Sequence, residues 1–164
     1  IKRAILTSKN GILIANAGVD QKNVPEGHAA LWPINPHETA RKIRLGILEK
    51  TGRRIGVVLV DSRVNPLRRG TTGVAIGFSG FKPIVDFRGK PDLYGKPLKI
   101  TFMNVVDDIA SAAHLLMGET CEMTPLIIVR GLHVEFTDEE YPREILMSED
   151  ECLIMSNLLS KGVR

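Results

Sequence analysis

The sequence has few cysteines and no long apolar run. Cys121 and Cys152, the two cysteines among 164 residues, stand far apart and match neither a zinc-ligand spacing nor a disulfide framework. We therefore expect reduced thiols and a cytoplasmic protein. No apolar run approaches the roughly twenty residues that span a bilayer, and no signal peptide is visible. We therefore expect no membrane partner.

Aromatic residues are also scarce and the net charge is small. Aromatic side chains make up 5% of the residues, and the formal net charge is +3. The cationic residues concentrate between Arg63 and Lys99, but that stretch has few rings on which bases could stack and no recognised nucleic-acid module. The charge permits an anionic small ligand, and we expect no nucleic-acid partner. Hydrophobic residues make up 43%, which is enough for a folded core.

The order of the predicted elements favours an α+β fold. Asn10-Gly11 between two short apolar runs predicts a β-hairpin, and Asn35 followed by Pro36 predicts the start of a helix that ends at Gly52. Asn104 predicts the start of a second helix. Further strands are expected at residues 29–32, 54–60, 74–78, 84–87, 98–103 and 125–129, and a last helix at 148–159. Hairpins and helices are mixed rather than strictly alternating, so we expect mixed, mostly antiparallel sheets with packed helices.

Two acidic segments follow predicted strands. Asp20 with Asn23 follows the first hairpin, and Asp61 with Ser62 follows a strongly apolar run. Carboxylate, amide and hydroxyl oxygens are the ligands that Mg²⁺ and Mn²⁺ prefer, which suggests a metal and phosphate site. An Asx turn at Asp20 and a strand-end cap at Asp61 explain the same residues without a ligand.

Cationic and glycine-containing stretches lie beside the second of these segments and after the second helix. Arg63 and Arg68 could neutralise phosphate oxygens through forked hydrogen bonds, although arginines in such a loop are usually solvated. Glu119 could be a further metal ligand beside Gly118, which serves equally well as a helix C-cap. We assign no role to any of the four histidines.

Eight short segments, taken together and in order, resemble one known family. They are ANAGVDQKNV at 15–24, ARKIR at 40–44, VDS at 60–62, VAIG at 74–77, RGKPDLYG at 88–95, DIASAA at 108–113, LMGE at 116–119 and IIVRG at 127–131. Each is weak alone, but the set is specific and covers most of the chain up to about residue 131. The chain resembles the coenzyme F420-0:L-glutamate ligase (gamma-glutamyl ligase) family.

The resemblance implies a nucleotide-dependent amide ligase. Such an enzyme adds L-glutamate to a carboxylate acceptor such as coenzyme F420-0 through an acyl phosphate, with GTP as co-substrate and Mg²⁺ or Mn²⁺ as cofactor, and it is a homodimer. The resemblance implies two metal ions, the first held by Asp20 and Asp61 and the second by Ser62 and Glu119. The implied nucleotide-binding residues are Asn23, Met117, Gly118, Glu119 and Thr120. Arg63 and Arg68 are our candidate catalytic cations.

The chain departs from the family pattern in three places. Ser62-Arg63-Val64-Asn65-Pro66 stands where the family tends to have Thr-Phe-Gly-Arg-Pro, and Glu119 stands where Gln is frequent. We also expect this chain to lack the family's N-terminal portion and to form one F420-ligase-like catalytic domain over 1–164, with a possible inserted subdomain at about 28–100. The alternative is a divergent or non-catalytic paralogue that binds metal or nucleotide.

Overall fold

The structure, a computed structural model, describes residues 4–140 and 143–161. These residues form strands and helices in a mixed order, consistent with the α+β expectation. The strands are β1 (Leu6–Lys9), β2 (Ile12–Ala15), β3 (Val57–Val64), β4 (Thr71–Ser79), β5 (Ile84–Asp86) and β6 (Phe102–Asn104). The helices are α1 (Pro36–Thr51), α2 (Val105–Met117) and α3 (Leu153–Lys161). None of the helices in this part of the chain has the length and apolar character needed to cross a membrane.

The described strands pair as three antiparallel ribbons, β1 with β2, β3 with β4, and β5 with β6. The first is the predicted hairpin. Asn10 and Gly11 have φ angles of 52° and 77°, the left-handed conformations that a tight two-residue turn requires. The hairpin prediction is therefore confirmed.

The β3–β4 ribbon lies at the centre of the structure. Its ladder runs from Val57↔Ser79 to Val64↔Thr71, with an irregularity between Leu59 and Val60. Asp61 and Ser62 are therefore inside β3, and the prediction that a loop begins at Asp61 was wrong. Pairing continues because β4 extends back to Thr71 and supplies backbone partners beyond the apolar run.

Strand β4 is buried between two hydrophobic clusters. One cluster, with Ala75, Phe78, Phe81, Val105, Val106 and Ala110, joins β4 to α2. The other, with Ile12, Ile14, Trp32, Val74 and Ile76, joins β4 to the first hairpin. Gly73 permits the close approach of α2, because a Cβ atom there would collide with the carbonyl group of Ala110.

The ends of α1 and α2 follow the capping residues of the sequence. Asn35 accepts a hydrogen bond from the backbone N–H of Glu38 at 3.1 Å, and Gly52 ends α1 in the left-handed conformation. Asn104 accepts one from the backbone N–H of Asp107 at 3.2 Å. Both helix predictions are confirmed.

The chain after α2 differs most from the prediction. Residues 125–129 form no strand, and Leu126 and Ile128 are exposed. The segment returns to the core only later, where the backbone N–H groups of Lys82 and Thr137 donate to the carbonyls of Glu135 and Gly80. The prediction of a buried strand at 125–129 was therefore wrong, because this apolar run lies on the surface.

Arg44 of α1 anchors the end of that segment. The arginine is 5% exposed, and its Nε donates to the hydroxyl of Ser79 at 2.9 Å. Its Nη1 lies 2.8 Å from Oδ1 of Asp138, whose side chain is mostly exposed. The buried guanidinium is thus satisfied from both sides, as a buried charge must be.

Three smaller predictions also need correction. Residues 29–32 contribute a single bridge, Ala30 with Asp20, rather than a strand. The strand expected at 98–103 is restricted to β6, because Leu98 pairs instead with the preceding loop, donating to the carbonyl of Lys90 and accepting from the N–H of Gly89. The capping box of Ser148 and Glu151 forms, but it closes a turn that precedes α3.

Candidate active site

An open cleft of about 760 Å³ collects residues from three distant stretches of the chain. The first stretch is the loop after the first hairpin, the second lies within β3, and the third is the end of α2 with the chain that follows it. The lining residues are Asp20, Lys22, Asn23, Val60, Asp61, Ser62, His114 and 117–125. All the sequence-predicted metal and nucleotide residues lie in this cleft.

Hydrogen bonds with the backbone of Ala30 and Lys22 fix the position of Asp20. Its N–H and C=O pair with Ala30 at 3.1 and 2.7 Å, and its Oδ1 accepts the backbone N–H of Lys22 at 2.9 Å. The Asx turn considered above is therefore present. The side chain is still 52% exposed, so the turn presents the carboxylate to the cleft.

Asn23 joins this loop to the chain after α2. Its Nδ2 donates to the backbone carbonyl of Thr120 at 2.7 Å. Asn23 has a φ of 54°, a left-handed conformation that asparagine tolerates better than most residues. The contact brings two of the predicted nucleotide-binding residues together.

Asp61 is held by donors to both carboxylate oxygens. The indole Nε1 of Trp32 donates to Oδ2 at 2.6 Å, and the backbone N–H of Ser62 donates to Oδ1 at 2.7 Å. Trp32 is 9% exposed and packs over Gly18, where a Cβ atom would lie 2.5 Å from the ring. The buried Trp32 side chain therefore fixes the orientation of the Asp61 carboxylate.

Glu119 is the most heavily bonded carboxylate of the cleft. Its Oε1 lies 2.6 Å from the Thr71 hydroxyl and 2.8 Å from Nε2 of His114, and its Oε2 lies 2.9 Å from Nζ of Lys22. Because an ionised carboxylate can only accept, His114 must carry its hydrogen on Nε2. The hydrogen bond from Thr71, together with those from Lys22, His114 and Ser62, lowers the pKa of Glu119 from 4.5 to about 2, although partial burial acts in the opposite direction.

Lys22 lies among the carboxylates. Its ammonium is 2.9 Å from Glu119 and 3.8 Å from Oδ2 of Asp20. The hydrogen bond to Glu119, aided by the charges of Glu119, Asp20 and Asp61 and opposed by burial, raises the pKa of Lys22 above its usual value. The lysine is therefore charged at neutral pH.

The donor set fits one of the two expected metal positions. Asp20 and Asp61 offer carboxylate oxygens to the same cleft, and Mg²⁺ is commonly held by one or two carboxylates together with substrate phosphates. Residues 4–140 and 143–161 contain no group of three or more His, Cys, Asp or Glu side chains that could hold a metal by themselves. Glu119 accepts hydrogen bonds from Lys22, Thr71 and His114 in this arrangement, and its role as a metal ligand stays a prediction.

The end of α2 supplies the remaining predicted nucleotide contacts. The N–H of Gly118 donates to the carbonyl of His114 at 3.0 Å, which is the expected C-cap. Thr120 then donates its N–H to Oε2 of Glu122 at 2.8 Å. This segment therefore both caps the C-terminal end of α2 and lines the cleft.

The two candidate catalytic arginines do not line the cleft. Arg63 lies in β3 opposite Thr72, and its Nε is buried without a hydrogen-bond partner among the described residues. Arg68 is exposed in the turn between β3 and β4, where its N–H donates to the carbonyl of Asn65 at 3.3 Å. Their catalytic role stays a prediction.

Comparison with known proteins decides the family. The sequence profile described as F420-0:Gamma-glutamyl ligase matches residues 1–131. The chain belongs to the F420-0:gamma-glutamyl ligase family. A relative from Archaeoglobus fulgidus, named coenzyme F420:L-glutamate ligase, is 44% identical over 150 residues, which is 92% of this chain and 59% of the relative.

Other relatives of the same name give the same result. The protein from Methanopyrus kandleri is 44% identical over 83% of this chain and 54% of its own length. The protein from Methanocaldococcus jannaschii is 41% identical over 92% of this chain and 60% of its own length. This gamma-glutamyl ligase family member therefore spans somewhat more than half the length of the curated relatives it matches.

Sequence reasoning missed four residues of the site in this family member. They are Lys22, Trp32, Thr71 and His114, which contact the predicted carboxylates. The position of Lys22, two residues after Asp20, was a usable signal because it places a cation beside a predicted metal ligand. His114, five residues before Glu119 at the end of α2, was a second usable signal. No local pattern identifies Trp32 or Thr71, since their contacts join residues that are 29 and 48 positions apart.

Proposed function

We propose that this chain forms the metal- and nucleotide-binding part of a ligase that joins L-glutamate to a carboxylate acceptor of the coenzyme F420-0 type. GTP is the co-substrate in this proposal, and the acceptor is activated as an acyl phosphate. The observation that carries the proposal is the single cleft in which Asp20, Asn23, Asp61 and the end of α2 meet, in a chain of this family.

The charge of the cleft supports a metal-dependent reaction. Its lining residues include four carboxylates, those of Asp20, Asp61, Glu119 and Glu122, and one lysine. A triphosphate would be repelled by this excess of negative charge unless a cation accompanied it. A divalent cation held by Asp20 and Asp61 would offset the charge that develops on the transferring phosphoryl group.

The protein's own side chains supply position and orientation. Trp32 and the backbone N–H of Ser62 hold the Asp61 carboxylate, while the Asx turn holds Asp20. Asn23 fixes the approach of the chain around Thr120, along which the nucleotide is proposed to lie. Holding reacting groups in one geometry is a large part of the catalytic work in phosphoryl transfer.

The test is a calorimetric titration of GTP in the presence of Mn²⁺, followed by measurement of phosphate release with F420-0 and L-glutamate. We expect binding, and phosphate release that requires both substrates. Asp61→Asn is the test variant, because its amide oxygen still accepts from Trp32 while the carboxylate charge is lost. Asp108→Asn, an exposed residue in the first turn of α2, is the control for charge loss outside the cleft.

The two variants separate the possible results. Loss of Mn²⁺-dependent GTP binding in Asp61→Asn, with Asp108→Asn unchanged, would support the site. Equal binding in both variants would contradict it. GTP binding without phosphate release in the presence of both substrates would favour the alternative, a paralogue that binds nucleotide without turnover.

A further inference from the structure

The cleft contains a cation that belongs to the protein. Nζ of Lys22 lies 2.9 Å from Oε2 of Glu119, and the two residues are 97 positions apart in the sequence. The same ammonium lies 3.8 Å from Oδ2 of Asp20. It therefore lies between two carboxylates that the family resemblance assigns to metal binding.

The other oxygen of Glu119 is also engaged. Oε1 accepts from the Thr71 hydroxyl at 2.6 Å and from His114 Nε2 at 2.8 Å. A carboxylate has about four lone-pair positions, and Lys22, Thr71 and His114 occupy three of those of Glu119. A metal ion at Glu119 would therefore compete with donors that the fold already supplies.

The contrast with Asp61 supports different roles for the two carboxylates. The hydrogen-bond donors to Asp61 are a neutral indole and a neutral backbone N–H, which orient the carboxylate without a direct contact to a cation. Glu119 faces a full positive charge on Lys22. The charge of Glu119 is thus balanced within the protein, while that of Asp61 is open to an external cation.

We propose that Lys22 takes the place of the second divalent cation: its ammonium is the counter-ion of Glu119, and a divalent metal binds only at Asp20 and Asp61. The inference rests on the proposed function for the identity of the ligand, a divalent cation. A cation at Glu119 would share that carboxylate with an ammonium hydrogen-bonded to it at 2.9 Å, and like charges a few ångströms apart repel strongly even when solvent screens them. The Asp20 carboxylate lies 3.8 Å from the ammonium, beyond hydrogen-bond distance, and is 52% exposed, so a cation can bind it on the side away from Lys22.

The experiment counts bound Mn²⁺ by electron paramagnetic resonance during titration of the whole chain. We expect one bound Mn²⁺ per chain in the wild type. Lys22→Met keeps the length of the side chain and removes its charge, so we expect a second bound Mn²⁺ per chain, because the like charge that excludes a cation from Glu119 is gone. Lys22→Arg retains the charge and is expected to bind one.

Lys42→Met is the matched control, because Lys42 is a mostly exposed lysine on α1, outside the cleft, and its loss changes the net charge equally. It is expected to behave as the wild type. Circular dichroism melts of all variants establish that each is folded before the titrations are compared.

Two results would overturn the inference. One is two equivalent Mn²⁺ sites in the wild type. The other is an unchanged number of bound Mn²⁺ ions in Lys22→Met, including the absence of binding in both proteins. These counts need no turnover, so they are distinguishable from a failure of the ligase proposal, which is read from phosphate release.

Discussion

The hydrogen bond between Trp32 and Asp61 couples the hydrophobic core to the candidate metal site. Trp32→Phe keeps an aromatic ring against the first hairpin but removes the N–H that lies 2.6 Å from Oδ2 of Asp61. A hydrogen bond to an ionised group contributes about 1.5–3 kcal/mol to stability. The smaller ring also leaves a void, so we expect Trp32→Phe to lower the free energy of unfolding by about 2–4 kcal/mol in total.

A double-mutant cycle separates the hydrogen bond from the void. Asp61→Asn keeps an acceptor for the indole but removes its charge, and the void is the same whichever residue stands at 61. We expect a coupling free energy of about 1–2 kcal/mol between the two substitutions. The assay is urea unfolding followed by far-ultraviolet circular dichroism, applied to the wild type, both single variants and the double variant.

Additivity would refute this reasoning. If the two effects sum to within about 0.5 kcal/mol, the indole and the carboxylate do not interact energetically and the short distance has no consequence for stability. The cycle also requires a common two-state transition in all four proteins, which coincident denaturation by a second probe establishes.

Three further predictions follow from other contacts. Because the pKa of Glu119 is lowered to about 2, the ionised carboxylate stabilises the fold fully above its ordinary pKa of 4.5, and this stabilisation is lost as the pH falls towards 2. In denaturant titrations, the difference in unfolding free energy between wild type and Glu119→Gln should therefore shrink by about 1–2 kcal/mol from pH 6 to pH 3. This value is reduced from that of the full shift because the side chain is 33% exposed. Gly73→Ala should destabilise by about 1–3 kcal/mol through its clash with α2, whereas Gly46→Ala, on α1 with open space around it, should stabilise by about 0.5–1 kcal/mol; thermal melts of the pair give both signs. Arg44→Met should lower the free energy of unfolding by about 1–2 kcal/mol, and hydrogen exchange near residue 137 should accelerate. Breaking a fully buried ion pair would lower it by more, but the Asp138 side chain is 74% exposed.

Local chemistry accounts for the elements that were predicted well. The caps Asn35 and Asn104 act within three residues of themselves, and Gly11 determines its own turn. Such signals need no knowledge of the rest of the fold. The bounds of α1 and α2 could therefore be predicted from the sequence.

Long-range pairing accounts for the errors. The end of β3 depends on how far β4 extends, and nothing near Asp61 in the sequence specifies that. The apolar run at 125–129 has the composition of a buried strand, yet it forms no ladder in the described structure. Burial is a property of the assembled chain, and an apolar pattern predicts it only where a partner is available.

The candidate site shows the same division. Asp20, Asp61 and Glu119 were identified from their positions after predicted strands and a predicted helix and from the family resemblance, and they do lie in one cleft. Partners that determine what each carboxylate can do, such as Trp32 and Thr71, come from distant parts of the chain. Residue identity therefore predicted that these carboxylates meet. Only the fold distinguishes Asp61, which neutral donors orient, from Glu119, which Lys22 neutralises.

Trp32 is the one tryptophan of the chain, and its indole N–H donates a hydrogen bond to the Asp61 carboxylate. Intrinsic fluorescence excited in the indole band therefore comes from a single fluorophore next to the candidate metal site. Mn²⁺ is paramagnetic and quenches nearby emitters, whereas Mg²⁺ is not. The protein thus contains its own optical reporter, with which occupancy at Asp61 can be followed in real time and without a label.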